Sequence, residues 1–270
     1  MAQGRSLHIG VNKVDARKYA EWFGDLNACE ADAHAMSALA EKQKFAASRL
    51  LTSEATREAV LAGIGAAAKD LKAGDIFLLT YAGHGSQLPD LNGDESDRLD
   101  ETWCLYDGHL VDDELHQALA QFDSGVRIIS ISDSCHSESV VRAVADDPIR
   151  FRSPPKAVAL RTYAANRDFY DPILRDPVLA KAERSIVAPT IHLSACRDDE
   201  AAAETAFSGA FTAALLSTWA DGAFVAPGKG YGAFHRAIAA AMRTRHRQSP
   251  QLGFYGTNPD ALHAQPPFSI

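Results

Sequence analysis

Ile76-Phe77-Leu78-Leu79-Thr80-Tyr81 runs without a charged residue from Lys72-Ala73-Gly74-Asp75 into Ala82-Gly83-His84-Gly85. A continuous apolar run of this length, bounded by turn residues, is what a strand covered on both faces requires, and parallel sheets supply such cover. Outward from it, Val126-Arg127-Ile128-Ile129-Ser130-Ile131 and Thr190-Ile191-His192-Leu193-Ser194 read the same way. Ser6-Leu7-His8-Ile9-Gly10-Val11 adds a strand close to residue 1, and Arg49-Leu50-Leu51 a brief one. Helical spacing fills the intervals. Met36, Leu39 and Ala40 share one face; Val60, Ile64, Ala67 and Leu71 line another, started by Thr52-Ser53-Glu54. Leu115 with Leu119, and Phe211, Ala214, Leu215 and Trp219, mark two more helices. Strands alternating with helices predict an open α/β sheet.

At 270 residues, with 46% hydrophobic and 23% charged, the chain reads as one globular domain spanning 1–270. Twenty-seven basic against thirty-five acidic residues leave a net charge of −8, which excludes nucleic acid as a sequence-independent partner and suits a cationic substrate or a divalent cation. No signal core or long apolar run is present, so no membrane partner and a cytoplasmic location are expected. Cys29, Cys104, Cys135 and Cys196 form no Cys-x-x-Cys pair; free thiols are the expectation. Two stretches break the alternation. Residues 89–107, dense in acid, read as a surface loop. Residues 143–189, rich in Pro, Arg, Lys and Asp, read as a long mobile loop within the domain.

Both central strands end in chemistry. The first runs into His84, flanked by glycines that let another chain approach, and the second into Asp133-Ser134-Cys135-His136. Open α/β sheets bind ligands at the carboxyl ends of their strands, so His84 and Cys135 open onto one edge. A thiol is a poor nucleophile until a neighbouring base takes its proton. The two residues are 51 apart, close to the ~50 separating the histidine and cysteine of caspases. Spacing alone leaves two readings open: a Cys/His dyad, or a small buried Cys135 with a satisfied loop histidine.

The wording of the segments goes further. Tyr81-Ala82-Gly83-His84-Gly85-Ser86-Gln87-Leu88-Pro89-Asp90, Asn92-Gly93-Asp94-Glu95-Ser96-Asp97, Asp100-Glu101-Thr102 and Asp133-Ser134-Cys135-His136-Ser137 closely resemble the metacaspases, caspase-like cysteine peptidases. Leu26-Asn27-Ala28-Cys29-Glu30-Ala31-Asp32-Ala33, Ser194-Ala195-Cys196-Arg197-Asp198-Asp199-Glu200 and Gly209-Ala210-Phe211-Thr212 match that family's flanking motifs in order. The resemblance implies a caspase-like fold: an open, mostly parallel six-stranded sheet with helices on both faces. It also implies His84 as general base, Cys135 as nucleophile, and the amides of Gly85 and Cys135 as an oxyanion hole, with no cofactor needed for the chemistry. The expected partners are protein or peptide substrates.

Asp133 and Cys135, as i and i+2 on a strand, share one side. Cys29 and Asp32, as i and i+3, share a helix face continued by Met36, although Asp32 could equally satisfy first-turn amides. By resemblance, Cys29, Asp32, Ala82 and Asp133 line the first specificity pocket, which implies cleavage after Arg or Lys. Ala82 stands where many metacaspases carry serine, and Ser134 where many carry cysteine. Residues 90–101 place Asp90, Asn92, Asp94 and Glu101 at EF-hand positions, but Glu95 occupies the position that demands glycine. The resemblance offers calcium as an activator instead, held by Asp100, Asp112 and Asp113, with no carboxylate at the fourth position near Arg142. For Asp112 and Asp113, starting the next helix is the plain alternative. Arg150, Arg152, Lys156, Arg161, Arg167, Arg175, Lys181 and Arg184 make residues 143–189 a candidate for self-cleavage. A silent caspase-like binding domain is the competing function. No adaptor segment is expected before the first strand.

Overall fold

The computed structural model describes residues 2–93, 95, 97–135, 150–197, 202–204, 207–226, 228–243 and 248–270. In chain order the strands are β1 (Gly4–Gly10), β2 (Ala46–Leu51), β3 (Ile76–Ala82), β4 (Gly85–Pro89), β5 (Leu99–Leu105), β6 (Gly108–Val111), β7 (Arg127–Asp133), β8 (Arg150–Phe151), β9 (Thr190–Ser194), β10 (Ala203–Glu204) and β11 (Gln251–Tyr255). The helices are α1 (Cys29–Lys42), α2 (Arg57–Asp70), α3 (Asp112–Leu119), α4 (Lys156–Ala165), α5 (Arg167–Leu174), α6 (Ala182–Ser185), α7 (Ala210–Trp219), α8 (Tyr231–Arg243) and α9 (Pro259–His263).

Six strands form the main sheet in the order β11-β9-β7-β3-β1-β2. All pairings are parallel except that of β11 with β9. Side chains of β3 alternate between two cores, as the pleat demands. Phe77, Leu79 and Tyr81 meet Val60, Ile64 and Leu115 on one face; Ile76 and Leu78 meet Met36, Leu39, Phe211 and Leu215 on the other. Burial on both faces is why this strand carries no alternation in sequence. Helix α2 starts at Arg57, with the Thr56 hydroxyl accepting from the Ala59 amide at 3.2 Å; the expected start, Thr52 to Glu54, is a separate 3₁₀ turn.

Two expectations are corrected. Within residues 89–107, Leu99–Leu105 is not surface loop: it forms β5, the middle strand of a three-stranded antiparallel sheet with β4 and β6, and its Trp103, Cys104 and Leu105 are buried. Nor are residues 143–189 a loop. Residues 143–149 lie outside the described residues, and from 150 onward the segment contains β8, α4, α5, α6 and a 3₁₀ turn. Tyr170 and Leu174, i and i+4 on α5, pack against Leu88 and Val111, and the Tyr170 hydroxyl accepts the His109 amide at 2.8 Å. Basic side chains on the outer faces masked these anchors. No described helix is long and apolar enough to cross a membrane.

If α5 anchors the segment, Leu174→Ala, at 1% exposure, should cost about 2–5 kcal/mol in urea denaturation; a loop residue would cost under about 0.5.

Candidate active site

Ala82 and Asp133 face each other in the β3–β7 register, so His84 and Cys135, each two residues beyond, leave the sheet side by side. His84 is enclosed, its ring 4.7 Å from that of Trp22. Its Nε2 lies 3.1 Å from the Gly24 carbonyl, which can only accept, so Nε2 carries the proton. The lone pair is therefore on Nδ1, a buried atom with no hydrogen-bond partner. Burial drives the His84 pKa down to about 3, with the Arg152 charge adding to the effect and the Gly24 carbonyl opposing it. The ring is neutral at physiological pH.

Cys135 is joined to Cys196 in a disulfide, with Cα atoms 6.5 Å apart; only Cys29 and Cys104 are free. This corrects the expectation of four free thiols. Ser132 and Ser194 are partners in the β7–β9 register, so Cys135 and Cys196 emerge from neighbouring strands although 61 residues separate them.

Beside these groups lies a buried charge cluster. The side chains of Asp32, Asp133 and Glu204 surround the guanidinium of Arg152, and all four are 2% exposed or less. Arg152 Nη2 donates to Asp32 Oδ2 at 2.6 Å and lies 3.5 Å from Glu204 Oε2, while Nη1 is 3.1 Å from Asp133 Oδ1. Burial works against the Arg152 charge, but Asp133 and Asp32 hold its pKa well above the ordinary value. Burial pushes Asp32 up; Arg152 pulls it back and Asp133 adds to the rise.

Each carboxylate is fixed from a different element. Asp133 Oδ2 accepts the Thr212 amide at 2.9 Å and hydroxyl at 2.6 Å. Asp32 accepts the Ser208 hydroxyl at 2.6 Å and the Gly209 amide at 3.0 Å. The alternative first-turn role for Asp32 is taken by Asn12, whose Oδ1 receives the amides of Cys29 and Glu30. A Cβ at Gly209 would collide with Asp133 Oδ2 and the Arg152 guanidinium, so only glycine closes this wall. Glu204 accepts the Asn27 amide at 2.7 Å, and the Cys29 thiol lies 3.8 Å from it. Cys29, its pKa pushed well up by burial, packs with Ala82 and Leu26. All four pocket residues named from sequence thus meet at one place. Glu204 and Arg152 were missed as members: neither has a local motif, and their partners lie on other elements.

The backbone of Arg152 is held as firmly as its side chain. Its carbonyl accepts the Gly85 amide at 2.9 Å and the Cys135 amide at 3.3 Å, and its own amide donates to the Ala202 carbonyl at 3.0 Å. Strand β8 pairs antiparallel with β10, Phe151 opposite Ala203. Arg152, directly after this short strand, therefore lies across the ends of β3 and β7.

The residues nominated for calcium separate. Asp112 converges with Glu95 and Glu101, their oxygens within 4.8 Å of one another. Asp100 and Asp113 are outside that group, although both help burial and Glu101 push the Asp112 pKa well up. Asp113 Oδ2 receives the Asn92 side-chain amide at 3.2 Å. The alternation of a strand explains the split: Glu101 faces Asp112, and Asp100, its neighbour on β5, turns into the core.

The sheet order and flanking helices are those of the caspase fold. A crystal structure of caspase-1 from Spodoptera frugiperda aligns over 93% of this chain and 88% of its own, with TM-score 0.56 at 10% identity. Protein GSU0716 from Geobacter sulfurreducens is far more similar, at TM-score 0.86 and 43% identity over 99% of both chains. The chain belongs to the metacaspase family of cysteine-type peptidases: the family model for the metacaspase peptidase C14 domain matches residues 4–144. Metacaspase-1A of Aspergillus clavatus is 36% identical over 153 residues, and metacaspase-1 of Emericella nidulans 27% over 286. These alignments span 34% of the first relative's length and 69% of the second's.

Nitrogen-15 correlation spectra should show His84 as the Nε2–H tautomer, neutral to below pH 5. Its folded pKa is below the unfolded 6.5, so its contribution to stability is present above pH 6.5 and is lost as pH falls toward about 3. Titration near pH 6.5 in the intact chain would contradict this environment.

Proposed function

We propose that the chain is an endopeptidase that cleaves after Arg or Lys through a Cys135/His84 dyad. Support comes from the seating of Arg152: a guanidinium among three carboxylates, with its carbonyl on two amides beside Cys135. An aspartate side chain in the same place would meet only like charge. Catalysis requires Cys135 as a free thiol. His84 Nδ1 takes the Sγ proton, the thiolate adds to the carbonyl carbon, and the oxyanion forms on the Gly85 and Cys135 amides, donors typically worth ~10²–10³ in rate. The His84 imidazolium then protonates the departing amine, leaving a thioester on Cys135. Water, deprotonated by His84, hydrolyses that thioester and releases the carboxylate and the thiol. With a pKa of about 3 His84 is neutral but a weak base, and departure of Arg152 into solvent would remove one of the influences that lower it and strengthen it as a proton acceptor.

The same seating makes Arg152–Ser153 the bond for self-cleavage. Of the other candidates, Lys156, Arg161 and Arg167 lie on helices α4 and α5. Calcium fits the oxygen donors of Glu95, Glu101 and Asp112, hard ligands on β5, at the start of α3 and in the loop between β4 and β5. Bound there, it would neutralise their repulsion and stiffen β5, whose Trp103 is the register partner of Gly85.

Reduced wild-type protein should hydrolyse fluorogenic Arg and Lys peptides, leave Asp peptides intact, and lose at least 10³-fold in kcat/KM as Cys135→Ala. Inertness of the reduced protein toward all three would favour the binding-domain reading. Intact mass should show fragments 1–152 and 153–270 in wild type and neither in Cys135→Ala or Arg152→Ala; cutting elsewhere would reject Arg152. For calcium, calorimetry should lose at least tenfold in affinity with Asp112→Asn, and activity unchanged by a strong chelator would remove the ion from the scheme.

A further inference from the structure

We propose that Cys135 and Cys196 form a reversible oxidative modification site that stores the peptidase as an uncut, pre-seated precursor; this rests on the reading of Cys135 as nucleophile. Two independent observations meet here. The β7–β9 register brings the two sulfurs together, and they are bonded. Arg152, meanwhile, occupies the substrate position beside a sulfur that is already committed. The scissile carbonyl is in place and the attacking lone pair is not available.

The pair is selective. Cys29 and Cys104 are buried singly, and burial pushes both thiols up, which suppresses the thiolate that oxidants attack. Cys135 leaves β7 at the same level at which His84, a potential proton acceptor, leaves the adjacent β3. Cys196 lines a cavity of about 340 Å³ together with Ser132, Ser194 and His192. Glu95, Glu101 and Asp112 line it too, so a small neutral hydroperoxide suits it better than an anionic thiol such as glutathione.

The step balances with hydrogen peroxide as oxidant. The Cys135 thiolate displaces hydroxide from peroxide to give a sulfenic acid. The Cys196 sulfur then attacks that sulfur and expels water, so two thiols and one peroxide give one disulfide and two waters. A dithiol reverses it by two exchanges, becoming a cyclic disulfide and returning both thiols.

The test uses the full chain treated with excess hydrogen peroxide, quenched with catalase and alkylated after denaturation. Wild type should show two alkylated cysteines, rising to four after dithiothreitol, and a Cys135–Cys196 linked peptide by mass. Hydrolysis of an Arg peptide should fall at least tenfold on oxidation and return on reduction, with the 1–152 fragment appearing only then. Cys196→Ser and Cys196→Ala should keep reduced activity within about twofold and, after peroxide, carry sulfinic acid at Cys135 that dithiothreitol does not reverse. An active chain with no linked peptide, or variants that recover as wild type does, would overturn the gate alone. A linked peptide in a chain inert after reduction would overturn the peptidase reading with it.

Discussion

A single guanidinium sets the terms for this end of the molecule. Arg152 has no access to solvent, and a cation so placed is tolerable only because Asp32, Asp133 and Glu204 converge on it. Removing one partner from a buried ion pair costs about 3–5 kcal/mol, because the remaining charge is left without compensation. The cluster therefore ties α1, β7 and β10 to one another through the residue that follows β8, and the register of each element is constrained by it. Without the arginine, three carboxylates would share one dry cavity; water would enter or protons would bind. The three carboxylates need a cation, and the chain supplies its own in Arg152.

That arrangement links the charged cluster to the Gly85 and Cys135 amides by rigid geometry. Asp133 is the last residue of β7 and Cys135 is two residues on; Ala82 is the last of β3 and His84 two residues on. A side chain held by Asp133 fixes its own carbonyl within reach of Gly85 and Cys135, since the pocket and the amide pair hang from the same two strand ends. The small β4–β6 sheet is the third support. It begins at Gly85, and the Cys104 amide donates to the His84 carbonyl at 2.8 Å, so Glu101 of the acidic cluster lies three residues along β5 from the amide that holds the histidine.

Much of this was legible in the residues. Strands β1, β3, β7 and β9 announce themselves because cover on both faces leaves uninterrupted apolar runs. His84 and Cys135 stand out because they follow two such runs, and Asp32 and Asp133 because their spacing aims them at one side. The small sheet was hidden: Leu99-Asp100-Glu101-Thr102-Trp103 puts acids on both faces, and the core-facing Asp100 breaks the alternation that would reveal a strand. Helices α4 and α5 were hidden by basic outer faces and by Pro172 within α5. Arg152 looked like any other arginine of its segment, since its partners Asp32 and Glu204 lie 120 and 52 residues away. The disulfide was likewise invisible to local pattern, being a product of sheet register.

The pairing of β8 with β10 has a consequence for any outside chain. A ligand on the same polypeptide acts at an effective concentration that reaches the millimolar range for short tethers. If the pocket takes arginine as proposed, an external arginine peptide must outcompete a resident rival, and the apparent affinity of the pocket is multiplied by the fraction of time it is vacant. Were the bond after Arg152 cut as proposed, the cut would not by itself evict the rival, because the new terminus would keep its guanidinium and gain a carboxylate facing the same two amides. The rate at which that stub peeled from β10 would then set how soon the cleft opened.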